Sequence, residues 1–70
     1  MISERLEKLV EEMVERGVQF EDALGEFEKR FITRVLGGCD GSLTKAADIL
    51  GIHRNTLTRK ISQHKIKRRG

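Results

Sequence analysis

The chain has 70 residues, 37% hydrophobic and 36% charged, with three Phe as its aromatics, no Pro and a single Cys. That length excludes more than one domain, and a core of this size supplies only about 3–5 kcal/mol, so small chains usually need a staple. One Cys excludes an internal disulfide, and Cys39, His53 and His64 lack the paired spacing of a closed zinc site, which leaves self-association.

The longest uncharged stretches, such as Val35–Cys39, fall far short of the roughly 20 apolar residues that a membrane span needs. At the N-terminus Arg5 and Lys8 alternate with Glu4 and Glu7, and no apolar segment follows. Neither a signal peptide nor a membrane partner is therefore expected. The unpaired Cys suits a reducing compartment, and a cytosolic location is the expectation.

The net charge of +3 hides an asymmetry. Residues 1–36 carry six Lys/Arg against nine Asp/Glu, net −3, whereas residues 37–70 carry eight against two, net +6. After Asp48 no acid occurs, while Arg54, Arg59, Lys60, Lys65, Lys67, Arg68 and Arg69 follow. A neutral-to-acidic scaffold carrying a polyanion-facing end is the functional reading; a basic tail without a partner is the plain one.

In chain order, Ser3 followed by Glu4 reads as an N-cap with an acid at the positive end of the helix dipole. Leu6, Leu9, Val10, Met13 and Val14 then recur at i, i+3, i+4, i+7 and i+8, which predicts an amphipathic helix over about residues 3–16, ended by Gly17. A second helix begins near Phe20. Phe20, Ala23, Leu24, Phe27, Phe31 and Val35 share one band, but Ile32 and Leu36 fall outside it, so the helix meets different neighbours along its length. Gly25 lies on the polar face at a cost of roughly 1 kcal/mol relative to Ala, and Gly37-Gly38 is expected to break the helix. Ser42 or Thr44 caps a third helix ending at Leu50, and a fourth runs from about Arg54 to His64. No period-2 alternation occurs, so the expected class is all-α with four helices.

Residues 43–62 read as helix, glycine turn, helix. Ala47, four residues before Gly51, is small enough for the fourth helix to cross closely over the third; Gly51 supplies backbone freedom; Ile52 and Leu57 fill the angle between them. With Leu57 and Ile61 turned inward, the outward direction falls near Arg59, flanked by Asn55, Thr56, Ser62 and Gln63, with Arg54 at the helix start. Such side chains suit base edges and phosphates: Arg pairs bidentately with guanine, while Thr and Lys more often hold the backbone. A solvated polar face on a bundle helix is the alternative. Cys39 has no base at fixed spacing, and no carboxylate pair, phosphate loop or triad occurs, so neither an enzyme nor a cofactor is expected.

Three segments carry a family resemblance. They are Glu26-Phe27-Glu28-Lys29, Gly41-Ser42-Leu43-Thr44-Lys45-Ala46-Ala47, and Leu50 through Lys60 with its Leu-Gly-Ile, Arg54, Thr56-Leu57 and Arg59-Lys60 positions. Over residues 26–66 the sequence resembles the DNA-binding domain of the Fis family, which also closes NtrC-type activators of σ54 promoters. The resemblance implies a homodimer whose first two helices, residues 1–36, intertwine in a four-helix bundle. The helix-turn-helix units, residues 41–66, then sit at its ends, followed by a basic tail at 67–70. Reading helices closer together than one straight turn of DNA would require the duplex to bend.

The DNA-binding set, taken from the outward face of the fourth helix and the resemblance together, is Ser42, Thr44, Lys45, His53, Arg54, Asn55, Thr56, Arg59 and Lys60. The family has Asn where His53 and Ser42 stand, and Lys where Arg59 stands. No segment before Ser3 matches the arm with which the family meets DNA invertases, so no stimulation of recombination is expected. The dimer set is Leu6, Leu9, Val10, Met13, Val14, Phe20, Leu24, Phe27 and Phe31, because a 70-residue monomer offers almost nothing to cover that stripe. Double-stranded DNA and a second copy are the expected partners, in the cytoplasm at the nucleoid, with a preceding σ54-activator ATPase domain if the unit is an output domain. A helical bundle that binds only protein is the other function class.

Overall fold

The computed structural model describes residues 1–67; the tail cations Arg68 and Arg69 lie outside the described residues. Four helices follow in order: α1 (Ile2–Glu15), α2 (Phe20–Gly38), α3 (Leu43–Leu50) and α4 (Arg54–Gln63). No strand occurs among the described residues, so the fold is all-α. Among the described residues no helix is long and apolar enough to cross a membrane.

The helix ends share one device. A residue in the left-handed region follows each helix: Gly17 at φ 75°, Asp40 at φ 52°, Gly51 at φ 71° and Lys65 at φ 54°. The next amide then donates to the carbonyl five residues back: Val18 to Met13 O at 2.9 Å, Gly41 to Leu36 O at 3.1 Å, Ile52 to Ala47 O at 3.1 Å and Ile66 to Ile61 O at 3.0 Å. These are Schellman stops, which satisfy carbonyls that the helix leaves open and often press an apolar residue back onto the last turn. Val18, Ile52 and Ile66 occupy that apolar position.

Several expected boundaries move. Ser3 is not a cap: α1 begins at Ile2 with Met1 before it and no side-chain capping bond, because Met1 O already accepts from Arg5 N at 3.2 Å. Gly37-Gly38 does not break α2, which continues through Gly38. Each glycine weakens a helix by about 1 kcal/mol without forbidding it, and the actual stop is the left-handed Asp40. Of the two capping candidates for α3, Ser42 does the work, its hydroxyl accepting from Lys45 N at 3.4 Å.

Burial is concentrated at one end. Ile32 and Leu36 from α2, Cys39, Ala46 and Ala47 from α3, Leu57 from α4 and Ile66 form the buried core, with Val35, Leu43, Leu50, Ile52 and Ile61 packed around it. The two α2 residues that fall outside the early apolar band are thus the ones that hold α2 to the helix-turn-helix. Cys39 belongs to this core as well as to the turn. By contrast α1 buries no residue. The radius of gyration, 13.6 Å, exceeds the roughly 11 Å of a compact chain this long, because α1 does not fold back onto the core.

Candidate nucleic-acid interface

The site is built from the crossing of α3 and α4 outward. Ala46 and Leu57 are fully buried and Ala47 nearly so; the small side chains of α3 let the wide face of α4 approach. Gly51, at φ 71° and ψ 29°, turns the chain in a conformation that costs an L-residue about 1–2 kcal/mol. His53 follows in extended conformation, and its Nδ1 accepts from Asn55 N at 3.1 Å, capping α4. That bond assigns the proton of the neutral ring to Nε2. Thr58 Oγ1 donates to Arg54 O at 3.0 Å, so this hydroxyl is spent on its own helix.

The first turns of α3 and α4 converge on one open cleft of about 540 Å³, lined by Thr44, Lys45, Ala47, Asp48, Ile52, His53 and Arg54. Four of the sequence-predicted residues, from two helices, are thereby brought to one place. Asn55 and Arg59 stand exposed further along α4, while Thr56 is half-buried and Ser42 is occupied in capping α3. Among the described residues, Lys45, Arg54 and Arg59 enter no ion pair, so their charges face solvent uncompensated. Asp48 is the carboxylate in the cleft lining.

Lys60 is placed elsewhere. Its Nζ donates to both oxygens of Glu28, at 3.2 and 3.1 Å, so the side chain is turned to α2 and not to the face that Arg59 presents. His64 Nε2 lies 3.0 Å from Glu28 Oε1. Hydrogen bonding from His64 first and Lys60 second holds the Glu28 carboxyl below its ordinary range. Gly25 belongs to this contact: a Cβ there would stand 3.9 Å from His64 Cε1, so it faces α4 and not open solvent. Sequence periodicity missed this cluster, since its members are 32 and 36 residues apart. The Glu26-Phe27-Glu28-Lys29 segment was the available signal, carrying a conspicuous acid without a stated partner.

The residues expected to cover one another between copies form the second surface. Leu6, Leu9, Val10, Val14, Phe20, Leu24, Phe27 and Phe31 are all between 45% and 78% exposed in the single chain, while Met13 is half-buried. Phe27 and Phe31 stack tilted with ring centroids 5.4 Å apart. Leu9 and Met13 of α1 face Ala23, Phe27 and Phe31 of α2 across an open groove of about 510 Å³.

Two helices joined through a left-handed glycine, crossing over buried alanines and presenting Arg54 and Arg59 of the second helix without an ion pair among the described residues, define a helix-turn-helix unit. The model of the bacterial regulatory proteins of the Fis family matches residues 23–64, from the second turn of α2 to the end of α4, and the chain belongs to that family. A protein named for signal transduction and transcriptional control in Clostridium beijerinckii is 47% identical over 45 residues, covering 64% of this chain and 7% of that protein. A protein named as Fis-like and DNA-binding in Xylella fastidiosa is 42% identical over 41 residues, 59% of this chain and 46% of that one. A similarly named protein of Neisseria meningitidis is 38% identical over 45 residues, 64% and 57%. The chain thus matches about half the length of these two Fis-like relatives. No solved structure gives a comparable match.

Proposed function

We propose that the chain binds double-stranded DNA as a homodimer and regulates transcription or organises the nucleoid in the cytoplasm. Each copy inserts α4 into the major groove. The observation that carries this reading is the convergence of Thr44, Lys45, His53 and Arg54 on one cleft at the start of both helices, with Arg59 exposed and free of carboxylates beside it. Helix-turn-helix readers meet base edges through the N-terminal residues of the second helix, which here are Arg54, Asn55 and Thr56. Thr44 and Lys45, on the preceding helix, hold phosphates. The apolar surface of α1 and early α2 supports the dimer, because water on so many large apolar side chains is costly at about 25 cal/mol per Å². Two reading heads on one bundle then bend the duplex that both engage. This assigns binding, not catalysis, to the fold.

A second reading is that the unit serves as the output domain of a larger σ54 activator, behind an ATPase domain. Its support is the match to only 7% of the Clostridium protein, in which such a unit is a small part.

Duplex binding measured across salt concentration tests the proposal. Each phosphate contact steepens the fall of log affinity with log salt by about 0.9, so a slope of several is expected. A flat profile would identify a protein-binding bundle instead. Arg59→Ala should cost about 1–3 kcal/mol and relax discrimination at one base position.

A further inference from the structure

The Glu28 cluster lies on the side of α4 that faces α2, away from the exposed Arg59. Among the described residues it supplies the only side-chain hydrogen bonds between α2 and α4. One carboxylate grips two points, Lys60 within α4 and His64 at its C-cap. Glu28 Oε1 accepts from His64 Nε2 at 3.0 Å and from Lys60 Nζ at 3.2 Å, while Oε2 accepts from Lys60 Nζ at 3.1 Å. Residues four apart lie one turn above each other along an α-helix, so gripping both sets a direction as well as a distance. The glycine at position 25 lets the end of α4 sit close, 3.9 Å from where a Cβ would be. The apolar contacts of Ile32, Leu57 and Ile61 hold the helices together but are non-directional and tolerate rolling. The three side chains are sheltered enough to keep the grip, at 28% exposure for Glu28, 30% for Lys60 and 11% for His64.

We propose that Glu28 is a positioning residue for DNA reading: by clasping Lys60 and His64 it sets the angle of α4 on α2. In the dimer it thereby sets the separation of the two reading helices. This rests on the DNA-binding homodimer proposed above. It also inverts the simple electrostatic expectation. Removing an acid from a DNA-binding unit should strengthen binding to any duplex. A clasp instead makes recognition of the correct sequence depend on that acid.

The test uses the full chain and two probes: the duplex that the wild type enriches from a random pool, and a scrambled duplex of the same composition. Glu28→Gln should bind the enriched duplex about tenfold more weakly, with the scrambled duplex bound no more weakly. Lys60→Met should show a loss in the same direction with an unchanged salt slope, and the double variant should lose no more than Glu28→Gln alone. Circular dichroism checks that the helices persist. Should Glu28→Gln unfold, Lys60→Met carries the test alone, since it leaves the His64 bond in place. Glu28→Gln binding both duplexes as tightly as wild type, or more tightly, overturns the clasp. So does a salt slope reduced by about one in Lys60→Met, which would make Lys60 a phosphate contact. A wild type that enriches no duplex overturns the DNA-reading proposal and this role together, in an arm that contains no variant.

Discussion

Glu28 and Lys65 show how individual side chains tune this small unit. The hydrogen bonds from His64 and Lys60 favour the charged form of Glu28 and lower its pKa below the ordinary 4.5. A depressed carboxyl contributes stability that is present above the unfolded value and lost as pH falls through the folded one. Urea titrations should therefore show wild type more stable than Glu28→Gln at neutral pH, with the gap closing below about pH 4.5; a gap constant down to pH 3 contradicts the argument. Lys65 presents the opposite case, a residue held where its own chemistry is unfavourable. At φ 54° it occupies the left-handed region, which Asp40 at φ 52° tolerates better through its short polar side chain. Lys65→Gly should raise the stability by about 0.5–1 kcal/mol after the greater freedom of unfolded glycine is counted, read as a higher urea midpoint. A lowered midpoint would mean that the lysine makes a compensating contact.

At the level of elements, the helix-turn-helix was the most legible part of the chain, because its turn and crossing demand unusual residues at fixed intervals. Ala47, Gly51, Ile52 and Leu57 announce their roles by size and backbone freedom, and each occupies the expected place. Ile32 and Leu36 were legible as departures from the early band of α2, and the structure assigns them to the core. Less was readable where partners are distant or the signal is ambiguous. Ile66 reaches the core only through the Schellman stop after α4, which no helical period reveals. Gly37-Gly38 suggested an end that the burial of Leu36 and the Asp40 turn place later. The grouping at the candidate site was partly legible: helical spacing predicted an exposed Arg59, but not that Lys60, one residue on, is drawn to Glu28. Leu57, the fully buried large side chain of the core, ties α3 to α4. Leu57→Ala should cost about 2–5 kcal/mol, comparable with the whole stability of a core this size, and melt α3 and α4 together. Retained circular dichroism with an unshifted midpoint would show that the core lies elsewhere.

On the scale of the whole molecule, the chain divides into a head that is closed within itself and a pair of helices whose apolar faces are open. The proposed homodimer closes them. Phe27→Asp or Leu9→Asp sets an ion against the groove that these residues line, so sedimentation should give monomers of low stability. An intact dimer from either variant would remove α1 and α2 from the interface. The absence of any buried residue in α1 also orders events in time. The head collects its contacts between Ile32 and Ile66 from a single chain, so its formation is a first-order step, independent of how much protein surrounds it. A 14-residue helix is marginal on its own in water, so in the proposed dimer α1 depends on the second copy for its apolar partner. In that proposed dimer the docking of α1 is second-order, so its rate should rise with protein concentration while that of the head does not.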